Sequence, residues 1–244
     1  MRGEVCKLLT CDVDKSLEIA KIISMIGDMA HVCNRGFEKQ KIFLNRSYYE
    51  RFVDNLFLQN NKDGKIRTVK NIYSTKKIPE REKLVEIFKW SLLPNHYHLL
   101  LYEVIDGGIL EFTKRIGNSF TKYFNIKHEK RSGYLFQDHA NIVPIVNDSQ
   151  FLYIPFYIDI NPLDLAFPDR RNIPKHLSQK AIDFLKTYEW SSFKDYYGDG
   201  TRLPLINKDL FYETFGNDQE SYMTELINLS TCDVDKFDGV ITRP

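Results

Sequence analysis

The sequence predicts an α+β protein: an antiparallel sheet with helices packed on one face. Three observations carry this. Strand-like and helix-like patterns alternate along the chain. Two β-rich runs, 84–93 and 97–104, are broken only by Pro94-Asn95 and so pair or bend back. Long amphipathic helical patterns stand on either side of them, at 46–59 and 109–125.

The elements follow in order. Residues 16–27 carry apolar side chains at helical spacing behind Ser16, an N-cap type. MAHVCNRG (29–36) reads as a short strand ending at an Arg-Gly turn. RSYYERFVDNLFLQ (46–59) has apolar and aromatic residues three and four apart. The polar, basic stretch 60–81, with a Gly and a Pro, reads as a loop. After Asp106-Gly107-Gly108 comes the helix 109–125, then a strand over 134–146. Asn147 or Asp148 caps a further helix, which Asn161-Pro162 ends and Pro155 is expected to kink. Helices are expected again at about 176–187 and 208–228. Strand, helix, strand pair, helix, strand resembles the ferredoxin-like arrangement. This divides the chain into an N-terminal helical extension (1–28), a catalytic domain (29–165) and a helical C-terminal region with an acidic tail (166–244).

The chain has 244 residues, 43% apolar and 27% charged, with net charge +1, an ordinary composition that neither favours nor excludes a nucleic-acid partner. Its distribution says more. Lys114, Arg115, Lys122, Lys127, Lys130 and Arg131 face only Glu129 within their segment, and a second basic cluster lies between Lys62 and Lys77. From residue 207 onward eight acidic residues face three basic ones. Segregation of this kind fits a basic groove with an acidic appendage, or else two solvated faces. Cys6, Cys11, Cys33 and Cys232 show no ligand-like spacing and read as reduced thiols in a cytoplasmic protein. The apolar stretch 17–30 is interrupted by Glu18, Lys21 and Asp28, so no membrane span is expected. The hexapeptide TCDVDK occurs at 10–15 and again at 231–236, too short for a repeat architecture.

The chemistry concentrates in four residues. His96 and His98, in PNHYHLLL, project from one face of a strand, with Tyr97 on the other. Tyr157 and Asn161 share one helix surface, being four apart. A helix lying on that strand brings together two imidazoles, an amide oxygen and a phenol, a plan for cutting a phosphodiester. Taken singly, each pair reads first as an ordinary feature of a packed strand or helix.

Read together, several segments resemble the single-tyrosine HUH transposases, in particular the REP-associated tyrosine transposases. They are HVCNRG (31–36) with IF (42–43), LLPNHYHLLL (92–101), GGILEFTKRIGNSFTKYFN (107–125), RSGYLFQ (131–137), FYIDINPL (156–163) and YEWSSFKDYYG (188–198). The resemblance spans about residues 30–198. It implies that His96, His98 and Asn161 hold Mg²⁺ or Mn²⁺ and that Tyr157 is the nucleophile. Attack would leave a 5′-phosphotyrosine and a free 3′-hydroxyl on single-stranded, hairpin-bearing DNA, the enzyme acting as monomer or homodimer. The basic residues of 114–131 become candidate DNA contacts. Arg35 is a candidate phosphate contact, with a turn-stabilising salt bridge as the alternative. Phe120, Tyr123 and Phe124 combine core and surface positions, and Trp190 reads as packing. Two departures stand out: Asp138-His139 replaces a Gly-Arg pair, His139 being a partial substitute, and Pro155 lies two residues before Tyr157. They leave open a catalytically silent DNA-binding protein on the same fold, and a small-phosphoester hydrolase as a third reading.

Overall fold

The computed structural model describes residues 28–64, 81–129, 132–167, 178–198, 200, 205–215 and 219–230. The expected helix at 16–27, most of the 60–81 loop and both copies of TCDVDK lie outside them. Four strands, β1 (Met29–Arg35), β2 (Val85–Leu93), β3 (His96–Glu103) and β4 (Asn141–Pro144), form one sheet in the order β2-β3-β1-β4 with every pair antiparallel. Helices α1 (Arg46–Leu58) and α2 (Gly108–Lys127) provide the two crossovers, which completes the ferredoxin-like order.

Each crossover helix starts where its sequence dictates. The Asn45 side chain accepts from the Ser47 amide at the start of α1. The Glu103 carboxylate accepts from the Gly107 and Ile109 amides at the start of α2, a negative charge at the positive helix end. A Cβ on Gly108 would stand 2.3 Å from the Leu84 carbonyl oxygen, so only glycine lets this helix leave so close to β2. Ile109, Phe112, Ile116, Phe120 and Phe124 form the buried stripe of α2. Phe52 of α1 meets Tyr97 at 4.7 Å between ring centroids, so α1 and α2 cover the Tyr97 face of the sheet.

The opposite face, bearing His96 and His98, is covered by α3 (Asp148–Ile160). The Asn147 side chain caps it by accepting from the Gln150 amide, and the helix runs on through the buried Pro155. A short α4 (Leu163–Ala166) follows Pro162. A bulge in β2 at Phe88 shifts the register, so that Ile87 pairs with Leu101 but Lys89 with Leu100. That shift turns Lys89 and Ser91 to the α3 side.

Lys89 and Asp159 of α3 form a fully buried ion pair at 2.8 Å. Burial pulls the Lys89 ammonium down and pushes the Asp159 carboxyl up, while their mutual attraction opposes both shifts. Tyr222 also donates to Asp159, at 2.7 Å, and the rings of Tyr196, Phe211 and Tyr222 stand 3.8, 4.6 and 4.6 Å from the ammonium. Those rings come from α6 (Phe193–Tyr197), α7 (Lys208–Phe215) and α8 (Gln219–Ser230), which with α5 (Ser178–Thr187) make up the C-terminal region. The expected single helix over 208–228 is thus two. The β2 edge is capped by the same region: the Leu92 amide donates to Trp190 and the Ser192 amide to Trp90. Among the described residues no helix is long and apolar enough to cross a membrane.

The strand expected over 134–146 is ladder-paired only at 141–144, with an isolated bridge from Phe136 to Gly36. Between these the chain swings out at Asp138-His139, whose side chains are solvent-exposed. The buried Asn34 amide holds the excursion by donating to the Asp138 carbonyl at 3.0 Å.

Candidate active site

The register of β1 against β3 assembles the site. Cys33 stands opposite His98, Arg35 opposite His96, and His31 lies two residues back on the same face. Tyr157 reaches this face from α3. Its ring lies edge-on to His98 at 5.4 Å and to His31 at 5.8 Å between centroids. Asn161 caps α3 one turn later and is 4% exposed. Its Nδ2 donates to the Tyr157 carbonyl at 2.9 Å.

The hydrogen-bond partners constrain which imidazole nitrogens carry lone pairs. Asn95 Oδ1, an acceptor only, lies 2.7 Å from His96 Nδ1, so Nδ1 donates and Nε2 is left unprotonated. His98 Nδ1 lies 2.9 Å from His31 Nε2, while His98 Nε2 and His31 Nδ1 are buried without a partner among the described residues. With His98 Nδ1 donating to His31, His98 likewise presents a bare Nε2. The two rings, 5.0 Å apart, then offer the same type of atom, each oriented by a neighbour's oxygen or nitrogen. Burial lowers the pKa of His31 and of His96 to about 4, Arg35 adding to the effect on His96, and takes His98 well below its usual value. All three are neutral at pH 7, the state in which imidazole binds metals.

The residues present therefore fit a divalent cation: the orphaned Nε2 of His98 is a buried polar atom that lacks a partner. A second donor set shares His98. Ligand atoms of His31, Cys33 and His98 all lie within 4.8 Å of one another, and this buried group can hold a metal ion. The scattered cysteines gave no hint of it. His31 and Cys33 do show the same every-second-residue spacing as His96 and His98, but nothing in the sequence says that β1 lies beside β3. Burial raises the Cys33 thiol to about 12, so it is protonated at neutral pH.

Arg35 belongs to this face. Its Nε is buried without a hydrogen-bond partner, and among the described residues it makes no ion pair, so the turn-stabilising salt bridge is absent. The other basic positions lie elsewhere. Lys114, Lys122 and Lys127 are exposed along α2, on the far side of the sheet. Arg115 is engaged by Glu111 at 2.7 Å and the Asn61 carbonyl at 2.6 Å. His139 pairs with its neighbour Asp138 at 3.0 Å, and Lys130 and Arg131 lie outside the described residues. Phe120 and Phe124 are core, and Trp190 stacks on Tyr49 at 4.7 Å.

No protein-family model and no curated protein matches the sequence. Among solved structures the chain is similar to a REP-associated tyrosine transposase bound to a REP hairpin. The TM-score is 0.42 and the identity 14%, covering 69% of this chain and 78% of that one. The likeness is a distant one.

Proposed function

We propose that this chain is a tyrosine transposase-like enzyme that nicks and rejoins hairpin-bearing single-stranded DNA. The observation that carries the reading is the Tyr157 ring lying 5.4 Å from His98 across the α3–sheet interface. The Tyr157 oxygen attacks the scissile phosphorus, a P–O bond to tyrosine forms, and the bond to the 3′ oxygen breaks. The phenol loses its proton and the departing 3′ oxygen takes one up. Because the phosphotyrosine conserves a phosphoester bond, attack by another 3′-hydroxyl joins strands without a nucleotide cofactor.

His96, His98 and Asn161 are the residues that would hold Mg²⁺ or Mn²⁺, which when bound supplies positive charge to the phosphate oxygens. The protonated Cys33 makes the softer His31–Cys33–His98 set the poorer choice near neutrality, and His31 serves instead to orient His98. Arg35, opposite His96 in the strand register and without an ion pair among the described residues, is suited to a non-bridging phosphate oxygen.

The test is a denaturing gel after incubation with hairpin-bearing single strands and Mn²⁺. The wild type is expected to form a covalent DNA adduct, and an adduct that persists in Tyr157→Phe overturns the assignment. One observation favours a second reading, a catalytically silent DNA-binding protein: Tyr157 is only 5% exposed. That reading predicts hairpin binding with no adduct at any metal concentration.

A further inference from the structure

A second cluster of metal-ligating side chains lies where β1 meets β3. Ligand atoms of His31, Cys33 and His98 fall within 4.8 Å of one another, and the three residues are 1%, 0% and 0% exposed. Strand register builds the cluster. Cys33 stands directly opposite His98, and His31 is two residues back on the same side of β1. His31 Nε2 already faces His98 Nδ1 at 2.9 Å, with the ring planes within 9° of parallel. The outer nitrogens, His31 Nδ1 and His98 Nε2, are buried without a partner among the described residues. Buried polar atoms left unpaired are costly, and apolar side chains would fill this space without that cost.

We propose that His31, Cys33 and His98 form a site for a thiophilic divalent ion of the Zn²⁺ class, whose occupancy switches off the Mg²⁺ or Mn²⁺ site. Two imidazoles and one thiolate are a donor set that zinc favours and that hard ions do not. A tetrahedral zinc spaces its nitrogen and sulfur donors about 3.3–3.6 Å apart, which this cluster reaches through small side-chain shifts. As the metal–sulfur bond forms, the Cys33 proton passes to solvent. His98 links the two sites, and either of its nitrogens gives the same result. Bound through Nε2, it no longer serves the ion beside His96. Bound through Nδ1, its one proton moves to Nε2, which then donates and cannot ligate. The thiophilic site stands independently of the proposed function; the exclusion of Mn²⁺ rests on it.

Cobalt(II) is the probe, because thiolate ligation gives it a charge-transfer absorption band. The reduced full-length chain is titrated with Co²⁺, and a second sample is refolded from urea with Co²⁺ present, so that burial does not bar entry. One thiolate-bound Co²⁺ per chain is expected, released by Zn²⁺. Cys33→Ser is expected to lose the band. A chain with Cys6, Cys11 and Cys232 all changed to Ser keeps Cys33 as its one thiol, and is expected to retain the band whether or not Cys33→Ser folds. Absence of the band from both wild-type samples overturns the site, as does its loss from the triple variant or its survival in Cys33→Ser. Mn²⁺ binding, followed by electron paramagnetic resonance, then checks the exclusion. The zinc concentration that halves it is expected to rise more than about tenfold in Cys33→Ser, since even an outer-shell partner is worth roughly that much in metal affinity. Equal concentrations overturn the exclusion. A thiolate band in a chain that forms no DNA adduct supports the site and counts against the proposed function instead.

Discussion

His31 Nε2 and His98 Nδ1 lie 2.9 Å apart, joining neighbouring strands through two fully buried imidazoles. With His98 Nδ1 as the donor, the contact leaves His98 one coordinating nitrogen, Nε2, and fixes its ring plane. His31 is therefore expected to govern metal binding without being a ligand. His31→Ala should weaken Mn²⁺ binding about 10–100-fold, the usual cost of losing an outer-shell partner. His31→Gln, whose amide oxygen can accept from His98, should recover much of that loss. Isothermal titration of the three proteins checks this, and unchanged affinity in His31→Ala would mean that His98 needs no such support.

Acid should destabilise the fold in a defined window. His31 and His96 titrate at about 4 in the folded chain, against about 6.5 when unfolded. As pH falls below about 6.5 the unfolded chain takes up these protons first, so the histidines' contribution is complete above that value. It declines down to about pH 4 and levels off below. For His31 the difference amounts to about 3 kcal/mol. Urea unfolding at pH 7, 5.5 and 4.5 should show the decline; a flat profile would mean that these rings are hydrated.

The Lys89–Asp159 pair should behave as a buried charge pair that is costly to halve. Lys89→Ala or Asp159→Ala alone is expected to cost about 3–5 kcal/mol, since each leaves an uncompensated buried charge. Lys89→Met combined with Asp159→Leu should recover most of that stability, because the Tyr196, Phe211 and Tyr222 rings can pack on an apolar chain. Chemical denaturation of the single and double variants decides it: additive losses would show that the two groups act independently.

Much of this was open to inspection beforehand. Period-two spacing put His96 and His98 on one face, and four-residue spacing put Tyr157 and Asn161 on one turn, because these are properties of local backbone geometry. The Pro94-Asn95 break between β-rich runs marked the β2–β3 hairpin for the same reason. The strand expected at 134–146 came out short because Asn34, about a hundred residues earlier, holds the Asp138 carbonyl. Arg115 looked like a DNA contact, yet it holds the 61–62 backbone in place. A side chain's long-range partners leave no trace in its own neighbourhood.

By itself, then, the sequence determined the succession of the sheet strands and their two crossover helices, the two-histidine face and the tyrosine–asparagine turn, since each depends only on residues close in the chain. Only the tertiary structure decided that His31 and Cys33 join His98, that Lys89 turns toward Asp159, and that the buried Tyr97 hydroxyl has no partner among the described residues. Those outcomes depend on strand order, on register and on one bulge in β2, and a shift of a single residue in pairing sends every side chain of a strand to the other face.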